Sequence, residues 1–369
     1  MRPLPVHSRG HMTVNAAATP KISCKNVWKL YGEGADSYLK DMDKLPQHGG
    51  DPKTLAQSIR DKGGIVASAD VSFDVFEGEI FVIMGLSGSG KSTIVRCLSR
   101  LVEPTSGEIL LDGQDLLKAS AGELIEFRRH KMGMVFQNFG LMPHLNVLDN
   151  VAFPLKLQGL DLKTRRERAQ NVVEKVGLEG RESAFPAQLS GGQQQRVGIA
   201  RSLAVEPEVW FLDEPFSALD PLIRRQMQDE FLRLQNELHK SIVFITHDFL
   251  EALRIADRMA IMKDGEIVQI GRPVDLILNP ADDYVRKFTQ DVPWELVLTA
   301  GDVASTNVPP DGLKEVESSV NVASLLPYLA KHDEGVTVKR DTGSTGHLTA
   351  RDVVASLASG VTDAKAVKE

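Results

Sequence analysis

The sequence predicts an α/β fold followed by a smaller α/β module near the C-terminus. Short apolar runs that suit buried strands alternate with helix-like segments between residues 22 and 280, which favours a sheet covered by helices. A mostly helical stretch at residues 146–180 interrupts this alternation. After Pro280 the pattern weakens, and residues 297–360 form a separate small α/β pattern, so at least two domains are expected.

The first segments predict two strands that are separated by an insertion. Residues 22–32, "ISCKNVWKLYG", suit a strand that ends in an aromatic residue. Residues 33–64 are polar and contain the breakers "QHGGDP" and "DKGG", so we interpret them as an insertion. The chain resumes with "VSFDVFEGE", whose alternation is typical of a half-buried strand followed by a turn.

Further strands, helices and a hairpin are predicted downstream. Strands are expected in the runs "SGEILLDGQDL", "KMGMVFQ", "PEVWFLDEP" and "SIVFITHD". Asp220 and Pro221 predict a helix start, because Asp caps helices and Pro suits their first position. The run "RMAIMKDGEIVQIG" predicts a hairpin that turns at Asp264–Gly265. In the helical stretch, one apolar face is expected to contain Ala169, Val172, Val173 and Val176.

Composition excludes several classes of protein. The 369 residues carry a net charge of −7, which argues against a polyanion binder, so no nucleic-acid partner is expected. Cys24 and Cys97 are too far apart for zinc or redox spacing and suit a reducing compartment. No apolar stretch approaches the roughly 18–20 residues that cross a bilayer. Residues 1–20 lack the apolar region of a secretory signal, so we expect a disordered tail with its start at Met1 or Met12.

A glycine-rich loop with the pattern G-x-x-x-x-G-K-[ST] follows the apolar run "EIFVIM". Glycines let backbone N–H groups face an anion, and the helix that begins near Lys91 adds its positive N-terminal end. Lys91 is expected to reach the β- and γ-phosphates of a nucleotide, and Ser92 to ligate Mg²⁺. This loop predicts nucleotide binding without distinguishing kinases, GTPases, motors and transporters. Its residues are Gly85, Leu86, Ser87, Gly88, Ser89, Gly90, Lys91, Ser92 and Thr93.

Two acids and a second anion-binding loop lie further along the chain. Asp213 and Glu214 end an apolar strand. Burying two carboxylates there costs free energy unless they bind a cation or take part in a reaction. Asp213 suits Mg²⁺, and Glu214 suits the polarisation of an attacking water. Upstream, "LSGGQQQR" at Leu189–Arg196 offers a hydroxyl and two glycines at the start of a helix, which also suits an anion. A single nucleotide does not obviously need both phosphate-binding features.

Taken in order, these motifs resemble the ATPase subunits of ABC transporters over residues 22–285. The resemblance implies a P-loop NTPase fold of ABC type, with a mixed sheet core, an antiparallel β subdomain and a helical subdomain at 140–185. It implies that Tyr31 stacks on adenine, that Gln137 contacts Mg²⁺ or water, and that His247 lies near the γ-phosphate. It further identifies the Walker A loop at Gly85–Thr93, the signature motif Ser190, Gly191, Gly192 and Gln193, the Walker B residue Asp213, the catalytic base Glu214 and the D-loop residue Asp220.

The order of these motifs supports the resemblance more than any single residue does. Tyr31, Gln137 and His247 would each have an ordinary structural explanation alone, and Asp220 has a sufficient task as a helix cap. In the family, two subunits stack head to tail, and each ATP lies between the Walker A loop of one and the signature loop of the other. The resemblance therefore implies a homodimer with two composite sites that bind ATP and Mg²⁺.

A narrower resemblance concerns the cargo and the tail. "GEIFVIMGLSGSGKSTIVRCLSRLVEPTSGEI" and "MVFQNFGLMPHLNVLDNVAFPLKLQG" resemble the ATPases of glycine betaine, proline and choline uptake. This implies permease subunits, an extracytoplasmic substrate-binding protein and a peripheral location on the cytoplasmic face of the membrane. "VTVKRDTGSTGHLTARDVV" resembles a CBS domain, which gives an ATPase domain at 21–290 and a single CBS-like regulatory module at 295–369.

Several alternatives remain open at this stage. The same ATPase could serve a polyamine, an amino acid or a sugar, because cargo recognition lies on another chain. A non-transport ABC ATPase that acts on DNA or ribosomes usually has two ATPase units or long coiled-coil inserts, which this sequence lacks. A regulatory nucleotide-binding protein without turnover is disfavoured by Glu214. The C-terminal module could sense ionic strength or a nucleotide, or could simply stabilise the chain.

Overall fold

The computed structural model describes residues 19–32, 51–290, 292, 297–340 and 343–361, with side chains up to residue 356. The expected disordered tail, the choice of start codon, the first part of the insertion at 33–64 and the last residues lie outside this description. The described residues form a larger compact unit, up to residue 248 together with 255–268, and a smaller one, 249–254 and 269 onwards. The boundary predicted between residues 290 and 295 stays a prediction.

Thirteen strands are found in the described residues. Their bounds are β1 Ile22–Tyr31, β2 Ile65–Val75, β3 Ile80–Met84, β4 Ser106–Leu111, β5 Gln114–Asp115, β6 Met132–Val135, β7 Val209–Asp213, β8 Ser241–Thr246, β9 Arg258–Lys263, β10 Glu266–Gly271, β11 Glu315–Glu317, β12 Val336–Lys339 and β13 Thr345–Leu348.

The α-helices of the same residues also number thirteen, and a short 3-10 turn lies at Pro186–Gln188. The helix bounds are α1 Pro52–Asp61, α2 Lys91–Leu98, α3 Ala121–His130, α4 Val147–Leu157, α5 Leu162–Lys175, α6 Gly191–Leu203, α7 Pro221–Leu238, α8 Phe249–Ile255, α9 Pro273–Leu278, α10 Asp283–Thr289, α11 Ala300–Val303, α12 Val322–Leu329 and α13 Ala350–Val361. Among the described residues, no helix combines the length and apolar character needed to cross a membrane.

The central sheet has six strands in the order β10-β9-β3-β8-β7-β6. The pairs from β9 to β6 are parallel, and every residue of β3, β7 and β8 is buried, as their continuous apolar sequences predict. The predicted hairpin between β9 and β10 turns at Asp264 (φ 50°) and Gly265 (φ 83°). Because parallel strands end at one edge of a sheet, the residues that follow β3, β7 and β8 are brought together.

A second, antiparallel sheet has the order β2-β1-β4-β5. The two sheets confirm the mixed α/β class expected from the sequence. The predicted helical stretch contains α4 and α5, and its expected apolar face is largely buried: Ala169, Val173 and Val176 are at most 1% exposed, whereas Val172 is intermediate.

The predicted insertion contains a helix that its breakers did not suggest. Asp51 caps α1 by accepting hydrogen bonds from the backbone N–H groups of Lys53 and Thr54, and Pro52 occupies the first helical turn. Ala56 and Ile59 of α1 are buried in a small cluster with residues of β1 and β2, namely Trp28, Leu30, Val66 and Ala69. The second half of the insertion is therefore a packed element of the larger unit.

The smaller unit has its own sheet and its own hydrophobic core. Strand β12 pairs in parallel with β11 and antiparallel with β13. Its core contains Val274 of α9 together with residues from each strand and from α11, α12 and α13, including Leu298, Val316, Val322, Leu325, Val336, Val338, Leu348 and Val353. The likeness of this unit to a CBS domain stays a prediction.

Candidate functional site

The phosphate loop connects β3 to α2, as its sequence requires. Gly88 and Gly90 have φ angles of 80° and 98°, which favour glycine. A Cβ atom on Gly90 would lie 2.1 Å from the carbonyl oxygen of Ala67, so this position also needs glycine for space. The close approach holds the loop against β2 and leaves the first N–H groups of α2 available for an anion.

Lys91 is held inside the loop. Its side chain is buried, and Nζ donates hydrogen bonds of 2.9 Å to the carbonyl oxygens of both Gly85 and Leu86. Burial lowers the pKa of Lys91, and the nearby carboxylates of Glu214 and Asp213 oppose that change. The ammonium group therefore lies within the predicted phosphate loop, and its contact with phosphates stays a prediction.

Ser92 and Asp213 form the candidate metal site. The Ser92 hydroxyl donates a hydrogen bond of 2.8 Å to Asp213 Oδ1, and the Asp213 carboxylate is buried at the end of β7. A hydroxyl and a carboxylate oxygen suit Mg²⁺, which takes oxygen ligands and keeps several waters. In the part of the chain that the structure describes, no group of three or more His, Cys, Asp or Glu could hold a metal. Arg96 Nη2 lies 3.6 Å from Asp213 Oδ2.

Two other residues predicted from the sequence contact the Glu214 side chain. His247 Nδ1, from the end of β8, lies 3.0 Å from Glu214 Oε2, and Gln137 Nε2 donates to the same oxygen at 3.3 Å. Glu214 has a φ of 46°, a conformation that non-glycine residues adopt at an energetic cost and that clusters at functional sites. The sheet thus brings together a glutamine and a histidine that lie far from Glu214 in sequence.

The signature loop forms the N-terminus of α6. The Ser190 hydroxyl accepts a hydrogen bond from Gln193 N, and Gln193 Oε1 accepts one from Ser190 N, which is a capping box. A Cβ on Gly192 would approach a methyl group of Ile223 in α7 to 2.6 Å, whereas one on Gly191 would make only an ordinary contact. Ser190 and Gly191 are exposed, so their surface is accessible to another molecule.

Two further predicted residues, Tyr31 and Asp220, lie at the ends of elements. Tyr31 ends β1 with 40% of its surface exposed, and Lys29 Nζ lies 4.7 Å from its ring centroid. Asp220 caps α7 by accepting hydrogen bonds from the backbone N–H groups of Leu222 and Ile223 at 3.2 and 3.1 Å. Their roles in ATP binding and subunit coupling stay predictions.

Sequence reasoning missed two polar residues around Glu214. The Ser217 hydroxyl accepts a hydrogen bond from Gln137 Nε2 at 3.4 Å and donates one of 3.0 Å to the Glu214 carbonyl oxygen. Arg224 contacts Phe216, which follows Glu214, and Asp248, which follows His247. Their spacing in the sequence could have indicated them. Ser217 follows Glu214 by three residues, and Arg224 lies one helical turn after Asp220.

The geometry provides an anion-binding loop, a pair of oxygen ligands for a cation and a carboxylate next to an imidazole. These are the parts required for nucleotide hydrolysis, in which catalysis consists mainly of positioning and charge stabilisation.

Comparison with known proteins agrees with this assignment. The family model described as ABC transporter matches residues 68–217. The chain is 55% identical to the trimethylamine N-oxide transport system ATP-binding protein TmoW of Ruegeria pomeroyi over 88% of its own length and 93% of the relative. It is 46% identical to the glycine betaine/proline betaine transport system ATP-binding protein ProV of Salmonella typhimurium over 91% of this chain and 82% of that one.

A solved structure extends the likeness to the fold. A dimeric ATP-binding cassette in a post-hydrolysis state, bound to ADP and Pi, is 34% identical, with a TM-score of 0.57 over 68% of this chain and 98% of that chain. With its motifs in order, its site assembled and its length matched by these relatives, the chain belongs to the ABC transporter family, as an ATP-binding subunit that hydrolyses ATP.

Proposed function

We propose that this chain powers the import of a small methylated amine, of the glycine betaine or trimethylamine N-oxide kind. The observation that carries this proposal is the extensive identity to two named systems for such solutes, 55% and 46% over most of each chain. Choline, which is also a methylated amine, fits the same proposal, whereas proline, the other cargo considered from sequence, does not carry methyl groups on its nitrogen. Polyamine, sugar and other amino-acid cargoes have no comparable support among these relatives.

In the proposed reaction, water attacks the γ-phosphorus of ATP and gives ADP and phosphate. Glu214 orients the water and accepts its proton, and His247 holds the Glu214 side chain and faces the γ-phosphate. Lys91 exchanges its two carbonyl partners for phosphate oxygens. Ser92, Asp213 and Gln137 would hold Mg²⁺, which neutralises phosphate charge when bound. Tyr31 would stack on the adenine ring.

Two copies of the chain would form the complete sites. The exposed N-terminus of α6, with Ser190 and Gly191, would face the γ-phosphate of ATP held by the partner's Walker A loop. Gly192 and Gln193 would maintain the conformation of this loop. Asp220 would lie near the interface between the two subunits. The dimeric state of the ATP-binding cassette described above and ordinary two-fold symmetry support this homodimer.

A membrane permease is the proposed partner for coupling. A cavity of about 340 Å³ lies between β6, the segment after Gln137 and helix α4, and is lined partly by Met132, Met142 and Phe153. We propose that the permease contacts this region, so that movement of Gln137 is transmitted to it. The chain would then lie on the cytoplasmic face of the membrane, and an extracytoplasmic binding protein would select the cargo.

The test is ATP hydrolysis by the complete transporter in liposomes, with permease and binding protein present. Glycine betaine, trimethylamine N-oxide, choline, proline and spermidine are added one at a time. We expect stimulation by a methylated amine and loss of turnover in Glu214→Gln. Stimulation by spermidine alone would contradict the cargo proposal but would leave the assignment as an ATPase unchanged. Normal turnover in Glu214→Gln would contradict the assignment of the base.

A further inference from the structure

We propose that Arg224 is a positioning residue for ATP hydrolysis, because it ties the segment that follows Glu214 to the segment that contains His247. Arg224 lies in the first turn of α7. Its Nε donates a hydrogen bond of 3.2 Å to the carbonyl oxygen of Phe216, and Nη2 donates to those of Ser217 and Leu219 at 3.4 and 3.2 Å. One guanidinium group therefore binds three carbonyl oxygens of the four-residue segment 216–219, which precedes Asp220.

The same guanidinium also contacts the segment that contains His247. Nη1 of Arg224 lies 3.5 Å from Oδ2 of Asp248, and both side chains are about one-third exposed or less. Asp248 directly follows His247, and its backbone N–H donates to Thr246 Oγ1 at 3.0 Å. A shift of Asp248 would therefore move the imidazole that contacts Glu214.

These contacts close a ring around the catalytic carboxylate. Glu214 contacts His247 through its side chain, and Ser217 donates to the Glu214 carbonyl oxygen through both its hydroxyl and its backbone N–H. Arg224 joins Ser217 to Asp248 and thereby completes the ring. The positive φ of Glu214 persists only where the surroundings over-determine it, and Arg224 supplies part of that restraint.

The chemistry of arginine suits this position. Its planar fork presents five N–H donors in fixed directions, so it binds several carbonyl oxygens and a carboxylate at once. Lysine keeps the charge near Asp248 but cannot reproduce the fork. The proposal rests on the roles proposed above for Glu214 and His247, and it extends them to a residue outside the nucleotide-binding motifs.

The experiment measures steady-state ATP hydrolysis by the complete transporter as a function of ATP concentration. Arg224→Ala is expected to lower kcat by at least about tenfold while KM stays within about twofold, because misplacing a reacting group slows the chemical step. Binding of a fluorescent ATP analogue should be unchanged. Arg224→Lys, which also covers the case that the alanine variant unfolds, should recover only part of kcat. Arg225→Ala, at the exposed neighbouring position, is the matched control and should behave as wild type.

Three results would overturn the proposal. The first is a wild-type kcat in Arg224→Ala, and the second is full activity in Arg224→Lys, which would assign the effect to charge alone. The third is a loss of kcat with an equal loss of nucleotide binding, which marks a structural role. Glu214→Gln runs in parallel: if it is inactive while Arg224→Ala is normal, the proposed base stands and only the positioning role fails.

Discussion

At the scale of single residues, two glycines with positive φ angles differ in the space around them. Gly90 has a φ of 98° and no room for a Cβ atom, because the Ala67 carbonyl oxygen lies in that direction. Gly113, in the turn between β4 and β5, has a φ of 75° but nothing within 4 Å of its Cβ position. Alanine substitutions at the two positions therefore distinguish the effect of backbone strain from that of steric overlap.

We expect Gly90→Ala to lower the free energy of unfolding by more than the strain of a positive φ, which costs about 1–2 kcal/mol, and to weaken ATP binding. Gly113→Ala should show the strain alone and normal ATP binding. Denaturant unfolding and a nucleotide titration measure both effects. Equal destabilisation of the two variants would mean that the Ala67 carbonyl group moves aside without a cost in free energy.

At the scale of elements, helix α1 supports the phosphate loop from outside it. The Arg60 guanidinium donates to the carbonyl oxygen of Asp264 in the β9–β10 turn. In that turn, Gly265 N donates to Ser89 O at 3.1 Å, and Gly265 O accepts from Ala69 N at 2.9 Å. One turn thus connects α1, β2 and the phosphate loop.

Arg60→Ala should raise KM for ATP about two- to fivefold with little change in kcat, because the turn then restrains the loop less in both ground and transition states. The measurement is ATP hydrolysis, with amide hydrogen exchange at the loop as a second readout. Lys53→Ala, an exposed position on the same helix, is the matched control. Identical KM values for both variants would contradict this role of α1.

Elements with strong local patterns were predictable, and those that depend on distant contacts were not. The buried strands β3, β7 and β8, the Asp220 cap and the turn at Asp264–Gly265 follow from apolar runs, capping and turn chemistry. Helix α1 is polar apart from a few residues and is stabilised by packing on β1 and β2, which its sequence does not reveal. Likewise, the contacts of Arg224 link segments that only the fold brings together.

At the scale of the whole molecule, the two compact units have separate cores. Val274 of α9 lies before the boundary predicted from sequence, yet it is buried in the core of the smaller unit. The resemblance gave an ATPase domain that extends to residue 290, and that boundary stays a prediction. An apolar pattern reports burial but not which core receives the side chain.

We expect Val274→Ala to destabilise the smaller unit by about 1–3 kcal/mol through lost burial and a cavity, with kcat for ATP unchanged. Faster amide exchange in β11 and β12 would report the effect. Val354→Ala in α13, where the side chain is 64% exposed, is the control and should be nearly neutral. A loss of ATP hydrolysis in Val274→Ala would show that this core is not confined to the smaller unit.

The two carbonyl partners of Lys91 have a consequence for selectivity among phosphate compounds in a cell. Orthophosphate is abundant there, and a free ammonium at the loop would attract it. Because Lys91 already donates to Gly85 and Leu86, an incoming anion gains only the difference between old and new hydrogen bonds. A ligand with many phosphate oxygens and an adenine ring can offset that exchange, whereas a single phosphate offers far less. These two hydrogen bonds of Lys91 thus favour a nucleotide over a single phosphate.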